Sequence, residues 1–240
     1  MNTVIKDVFY GKNEVQKLDI YIGTSRNTIV YIHGGGLEAG SKDGLPPLLE
    51  EFIKRDYSVI SVNYSLYPDA KFPDFIEDCA LALKFVKDNA ELYGYGENIC
   101  VIGGSAGAYI SLMLYFDEHY LGQYGLSAKD FYGFLIDSAQ PTAHYNVLRE
   151  KGLETYAIRV DETAPIYFLN KKDYGSKLYI VTYTNDIFCR KEQNEMLDKT
   201  LTSYGISHEF YILEGTHCSG EQVDKNGQIK LLPIVEKLFN

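Results

Sequence analysis

Asn98-Ile99-Cys100-Val101-Ile102-Gly103-Gly104-Ser105-Ala106-Gly107 and the run that continues it to Phe116 decide the fold. Residues 98–102 are short, apolar and β-branched, as a buried strand is. Residues 106–116 read as a helix. Between them, Gly103, Ser105 and Gly107 fit G-x-S-x-G. A strand that turns at once into a helix leaves no room for side chains beside the turn, so glycine is needed there. The serine is presented at the helix N-terminus, where the positive end of the dipole favours developing negative charge. Strand before and helix after is the context in which this motif holds a nucleophile, which makes Ser105 the first candidate. The competing reading is a tight glycine turn that only packs helix on strand.

The rest of the chain alternates strands with helices. Strands are expected at 4–10, 17–22, 28–32, 58–63, 98–102, 131–136, 177–182 and 208–213. Helices are expected at 47–55, from Pro73 to just before Gly94, and at 106–116, 190–204 and 232–239. In the second helix Ile76, Cys79, Ala80, Leu83, Val86 and Ala90 recur at steps of three and four. Such alternation implies a mostly parallel eight-stranded sheet covered by helices on both faces. Residues 139–165 are less regular and read as a small insertion over one end of the sheet. No linker or repeat divides the 240 residues, so 1–240 is expected to be one domain.

Composition sets outer bounds. Hydrophobic residues make up 45% and charged residues 23%, the balance of a folded globular chain. Thirty-three acidic against 23 basic residues give net charge −10, which argues against a phosphate backbone or an anionic membrane as partner. The start of the chain lacks a basic segment followed by an apolar run, and no stretch reaches the ~20 apolar residues of a membrane span. The expectation is a cytoplasmic protein with its four cysteines reduced. Histidines and cysteines lack ligand spacing, so neither a metal nor a cofactor is expected. Oligomeric state is not legible. Twenty-one tyrosines and no tryptophan are the unexplained numbers.

His33-Gly34-Gly35-Gly36 follows the strand at 28–32 and precedes the serine in sequence, as an oxyanion loop should. Its glycines let backbone N–H groups point inward, while His33 is expected to brace the loop. The alternatives are a flexible turn or a phosphate loop, but phosphate-loop spacing is lacking. A serine nucleophile needs a base, and the base an orienting carboxylate. The order Ser…Asp/Glu…His selects His217, in the loop after the last strand, over His33, His119, His144 and His208. For the acid, Asp186 after the strand 177–182 is preferred to Glu214, which leaves its strand too early.

On these motifs, with Asn63-Tyr64-Ser65-Leu66-Tyr67-Pro68, Phe72-Pro73 and Glu77-Asp78, nearly the whole chain resembles an α/β-hydrolase of the hormone-sensitive-lipase-like and small carboxylesterase group. The resemblance implies the α/β-hydrolase fold and hydrolysis of a small-molecule carboxylic ester with a short acyl, acetyl or aryl group. It implies Ser105 as nucleophile, Asp186 as acid and His217 as base, with the N–H groups of Gly35, Gly36 and Ala106 as oxyanion hole. Asp78 is structural in this group. The substrate pocket is expected to include Leu37, Tyr64, Ile187 and Cys218. Leu37 stands where relatives often carry an aromatic residue, and where many relatives carry a long N-terminal cap the sequence as read starts almost at the first strand. A minimal cap and an open site are therefore expected. The alternatives are an amidase or peptidase of the same fold, or a non-catalytic binding protein built on it.

Overall fold

The computed structural model describes residues 3–240. Strands are β1 Thr3–Phe9, β2 Lys17–Ile22, β3 Asn27–Ile32, β4 Ser58–Val62, β5 Asn98–Gly104, β6 Gly133–Asp137, β7 Lys177–Asn185 and β8 Glu209–Thr216. Helices are α1 Pro47–Lys54, α2 Asp74–Asp88, α3 Ala90–Tyr93, α4 Ala106–Phe116, α5 Glu118–Gly122, α6 Tyr145–Glu150, α7 Arg190–Tyr204 and α8 Leu232–Phe239.

All eight strands join one sheet in the order β1-β2-β4-β3-β5-β6-β7-β8. β2 runs antiparallel to β1 and to β4, and every pair from β4–β3 to β7–β8 is parallel. Side chains alternate across a strand, so each inner strand feeds two cores. In β3, Val30 and Ile32 enter a core beneath α2, α4 and α7, whereas Ile29 and Tyr31 enter one beneath α1 and α8. Burial on both faces explains why the inner strands read as continuous apolar runs. The edge strand β1 is the exception. It is largely exposed, and its register breaks between Ile5 and Val8, where Asp7 takes φ 56°. That bulge blunts an edge that would otherwise recruit another strand.

Differences from the sequence reading have local causes. The helix after Pro73 is two helices, α2 and α3, because the Asn89 side chain bonds the Phe85 carbonyl at 2.8 Å and interrupts the run. β8 starts at Glu209 rather than 208, since the His208 ring is engaged with the Ile206 carbonyl and with Asp198. β5 and β7 extend to Gly104 and Asn185, where they pair with Asp137 and Thr216. These extensions carry the ends of β5 and β7 to the rim of the sheet where β6 and β8 also end.

The 139–165 stretch packs on that rim. The Tyr109 hydroxyl donates to the Thr163 carbonyl at 2.6 Å, and the Ala143 amide to the Arg159 carbonyl at 2.9 Å. Among the described residues no helix is long and apolar enough to cross a membrane.

Candidate active site

Steric necessity builds the serine turn. A β-carbon at Gly107 would lie 1.9 Å from the Ile32 carbonyl oxygen, and one at Gly103 would lie 2.4 Å from the Gly107 carbonyl oxygen. Both obstacles are backbone, so neither can yield. Ser105 itself takes φ 53° and ψ −110° between β5 and α4, a conformation that costs a non-glycine residue on the order of 1–3 kcal/mol. Its amide donates to the Asp137 carbonyl at 2.8 Å and its carbonyl accepts the Tyr109 amide at 3.0 Å, which holds the strained turn.

Parallel pairing brings the other two groups to Ser105 from far along the chain. His217 Nε2 lies 2.8 Å from the Ser105 hydroxyl, and its Nδ1 lies 2.5 Å from Asp186 Oδ1. With Nδ1 facing a carboxylate, the ring proton belongs there and the Nε2 lone pair faces the hydroxyl. The Asp186 side chain is buried and saturated. It also accepts the Ile187 amide at 2.8 Å and the Thr182 hydroxyl at 3.3 Å, and the Ser138 hydroxyl lies 3.0 Å from Oδ2. Burial pushes its carboxyl up, but the His217 hydrogen bond and charge, with the Ile187 and Ser138 donors, outweigh that and hold it below the usual carboxylate value.

The glycine loop comes next. Gly35 and Gly36 take φ 112° and 66°, and both line the cleft with Ser105 and His217. Ala106 is the first residue of α4, so its N–H has no partner within the helix. His33 braces the loop: its Nδ1 lies 2.7 Å from the Gly34 carbonyl oxygen, and its ring stacks on Tyr64 at 4.3 Å.

Of the residues expected in the substrate pocket, Ile187 and Cys218 line the cleft. Leu37 and Tyr64 do not. Both are 1% exposed and belong to the core beneath α4, a correction to the sequence reading. Tyr64 is held under the loop because its hydroxyl donates to the His33 carbonyl at 2.8 Å. Leu37 turns into the core with φ 66° while its carbonyl takes the Tyr67 amide. Glu214 lies on β8, and Asp78 accepts from Gln16 and from the Ser65 amide, away from Ser105. Cys189 and Cys218 are free thiols lining different hollows.

Several site residues escaped sequence reasoning because no motif marks them. Tyr145, at the start of α6, sets its hydroxyl against Gly36, where a β-carbon would lie 1.9 Å from the oxygen. Asn146 donates to the Gly36 carbonyl at 2.7 Å. Behind the serine, the Tyr31 hydroxyl donates to Glu221 and the Tyr183 hydroxyl to Asp137, both at 3.1 Å. Burial pushes both carboxyls up, Glu221 to about 7, and the Glu221 charge adds to the effect on Asp137. The Ser138 hydroxyl sits between Asp137 Oδ1 (3.2 Å) and Asp186 Oδ2 (3.0 Å). A protonated Asp137 that donates to Ser138 leaves that hydroxyl free to donate to Asp186.

The cleft over Ser105 holds about 440 Å³. A second hollow of about 400 Å³ adjoins it, sharing Tyr145 and Ile187. Three larger hollows, of about 610, 870 and 910 Å³, are lined by neither Ser105 nor His217. Among the described residues no group of three or more His, Cys, Asp or Glu side chains is arranged to hold a metal ion.

Residues 18–123 match the family model described as BD-FAE. An 85-residue stretch is 38% identical to the hormone-sensitive lipase of Mus musculus, covering 35% of this chain and 11% of that one. The chain thus spans about a tenth of the length of the hormone-sensitive lipases it matches. A kynurenine formamidase of Danio rerio is 27% identical over 236 residues, covering 92% of this chain and 78% of the relative. Among solved structures, esterase B from Lactobacillus rhamnosis superposes with TM-score 0.78 at 15% identity, covering 99% of this chain and 85% of that one. A truncated carbohydrate esterase from gut microbiota gives TM-score 0.79 at 18% identity, covering 99% and 96%.

Proposed function

We propose that this chain, which has the fold shared by the α/β-hydrolases, is a serine hydrolase that cleaves carboxylic esters of small molecules. The observation that carries this reading is the single imidazole reaching Ser105 at 2.8 Å on one side and Asp186 at 2.5 Å on the other. In this reading Ser105 Oγ attacks the ester carbonyl carbon while His217 Nε2 takes its proton. Asp186 holds the ring and stabilises the imidazolium that forms. The N–H groups of Gly35, Gly36 and Ala106 receive the oxyanion, each such donor contributing about 3 kcal/mol in the transition state. His217 then returns the proton to the departing alcohol, leaving an acyl group on Ser105. Water, activated by the same imidazole, releases the acid.

A cleft of about 440 Å³ suits short acyl groups, or aryl and acetyl esters whose alcohol part stays outside. The test is hydrolysis of short p-nitrophenyl esters by wild type and by Ser105→Ala, together with labelling by a fluorophosphonate. Activity confined to the wild type and label on Ser105 are expected. Undiminished turnover by Ser105→Ala would overturn the reading. A second reading, hydrolysis of an amide such as a formamide, is favoured by the formamidase relative that aligns with 92% of the chain. Matched ester and amide substrates separate the two.

A further inference from the structure

The hollow beside the cleft is lined by an arginine and by no carboxylate, although net charge is −10. Arg190 lines it with Gln140, Gln193, Tyr145, Tyr156 and Phe188. Arg190 is 3% exposed, yet the partners of its guanidinium are neutral: Nη1 donates to the Ser138 carbonyl at 2.8 Å and Nη2 to the Gln140 side-chain oxygen at 3.2 Å. Its Nε–H is buried with no partner. Asp186 is the carboxylate whose charge reaches it, and that carboxylate is already taken by His217, Ser138, Thr182 and the Ile187 amide. Arg190 also opens α7, a 15-residue helix, so the positive end of the helix dipole falls on the same wall.

A cation sealed in low dielectric projects far more strongly than one in water. Left without an anion, it costs free energy that a bound anion returns. The other walls are flat and apolar at the mouth, where Tyr156 and Phe188 meet edge to face with centroids 6.1 Å apart. One guanidinium matches one negative charge, and planar carboxylate is the group whose geometry it fits.

We infer that the hollow lined by Arg190 binds a carboxylate on the substrate, so that the preferred esters are anionic, with the carboxylate a few carbons or one aryl ring from the scissile carbonyl. Tyr145 and Ile187 line both cleft and hollow, so the two adjoin and lie within reach of one molecule. This rests on the serine-esterase reading of the same site and adds the charge of the substrate.

The experiment compares matched pairs of esters on the intact protein. On the acyl side, mono-p-nitrophenyl glutarate is set against p-nitrophenyl valerate; on the alcohol side, 4-acetoxybenzoate against phenyl acetate. Wild type is expected to favour the carboxylate member of at least one pair by about tenfold or more in kcat/KM, chiefly through KM. Arg190→Met should abolish that preference, read as the ratio of kcat/KM within each pair, and a variant that keeps the wild-type ratio overturns the inference. Should Arg190→Met fail to fold, wild type alone still decides: equal or better hydrolysis of both neutral members overturns the inference and leaves the esterase reading standing. A binding readout is independent of turnover. Benzoate should slow fluorophosphonate labelling of Ser105 more than benzamide does, and equal protection counts against the carboxylate site. If no ester is hydrolysed and Ser105 is not labelled, the esterase reading has failed, and this inference falls with it.

Discussion

The hydroxyl of Tyr145 rests on Gly36, so closely that a β-carbon on Gly36 would lie 1.9 Å from it. Gly36 also takes φ 66°, a left-handed conformation that suits glycine. Two independent costs therefore oppose a side chain at this point of the glycine loop, the proposed oxyanion site. Gly36→Ala is expected to lower kcat/KM by about 100-fold, since misplacing a donor by about an ångström has an effect of that size. Tyr145→Phe, which removes only the hydroxyl, should keep its melting temperature within about 2 °C of wild type. Adding Tyr145→Phe to Gly36→Ala relieves the clash but not the backbone strain, so activity should return only in part. Steady-state kinetics on the three variants check this, and full recovery in the double variant would remove strain from the account.

Asp186 differs from an exposed carboxylate in having every oxygen occupied. Replacing it with Asn keeps the shape but turns an N–H toward His217 Nδ1, which favours the wrong tautomer. Asp186→Asn should lower kcat by about 10³–10⁴ with the fold retained, as judged by circular dichroism. Loss of less than tenfold would mean that another carboxylate orients His217.

Glu221 and Asp137 set a pH dependence of stability whose sign is opposite to the usual one for acids. Burial raises the folded pKa of Glu221 from the ordinary 4.5 to about 7. Between those values the folded state holds a proton that the unfolded chain has released. Stability from this group is thus fully present below about pH 4.5 and is lost as pH rises through about 7. Glu221→Gln should accordingly melt about 3–6 °C above wild type at pH 8 and show little gain at pH 5. Thermal melts at the two pH values decide it; an equal shift at both would refute the burial account.

Gly107 faces an obstacle that cannot move. With the Ile32 carbonyl oxygen 1.9 Å from an added β-carbon, Gly107→Ala must separate α4 from β3. A loss of about 4 kcal/mol or more is expected, beyond the range of most substitutions. Chemical denaturation checks it. By contrast Gly94→Ala meets open space and bears only the cost of φ 77° at the end of α3, about 1 kcal/mol.

What the amino-acid sequence determined by itself follows from local constraints. Gly103 and Gly107 flank Ser105 because the turn excludes side chains, and that exclusion is visible within five residues. Buried parallel strands read as apolar runs, so the order of elements was legible, and with it the candidates Ser105, Asp186 and His217 at successive strand ends. The boundaries were less so, since whether β5 stops at Ile102 or Gly104 depends on a partner strand. Only the tertiary structure decided which side chains face the cleft. Leu37 and Tyr64 adjoin the site in sequence yet turn into the core, whereas Tyr145 and Glu221 reach the cleft, and Arg190 the hollow beside it, from segments with no motif. The physical reason is that burial and pairing depend on how distant segments pack, and a buried arginine among neutral partners looks, along the chain, like any other arginine at the start of a helix.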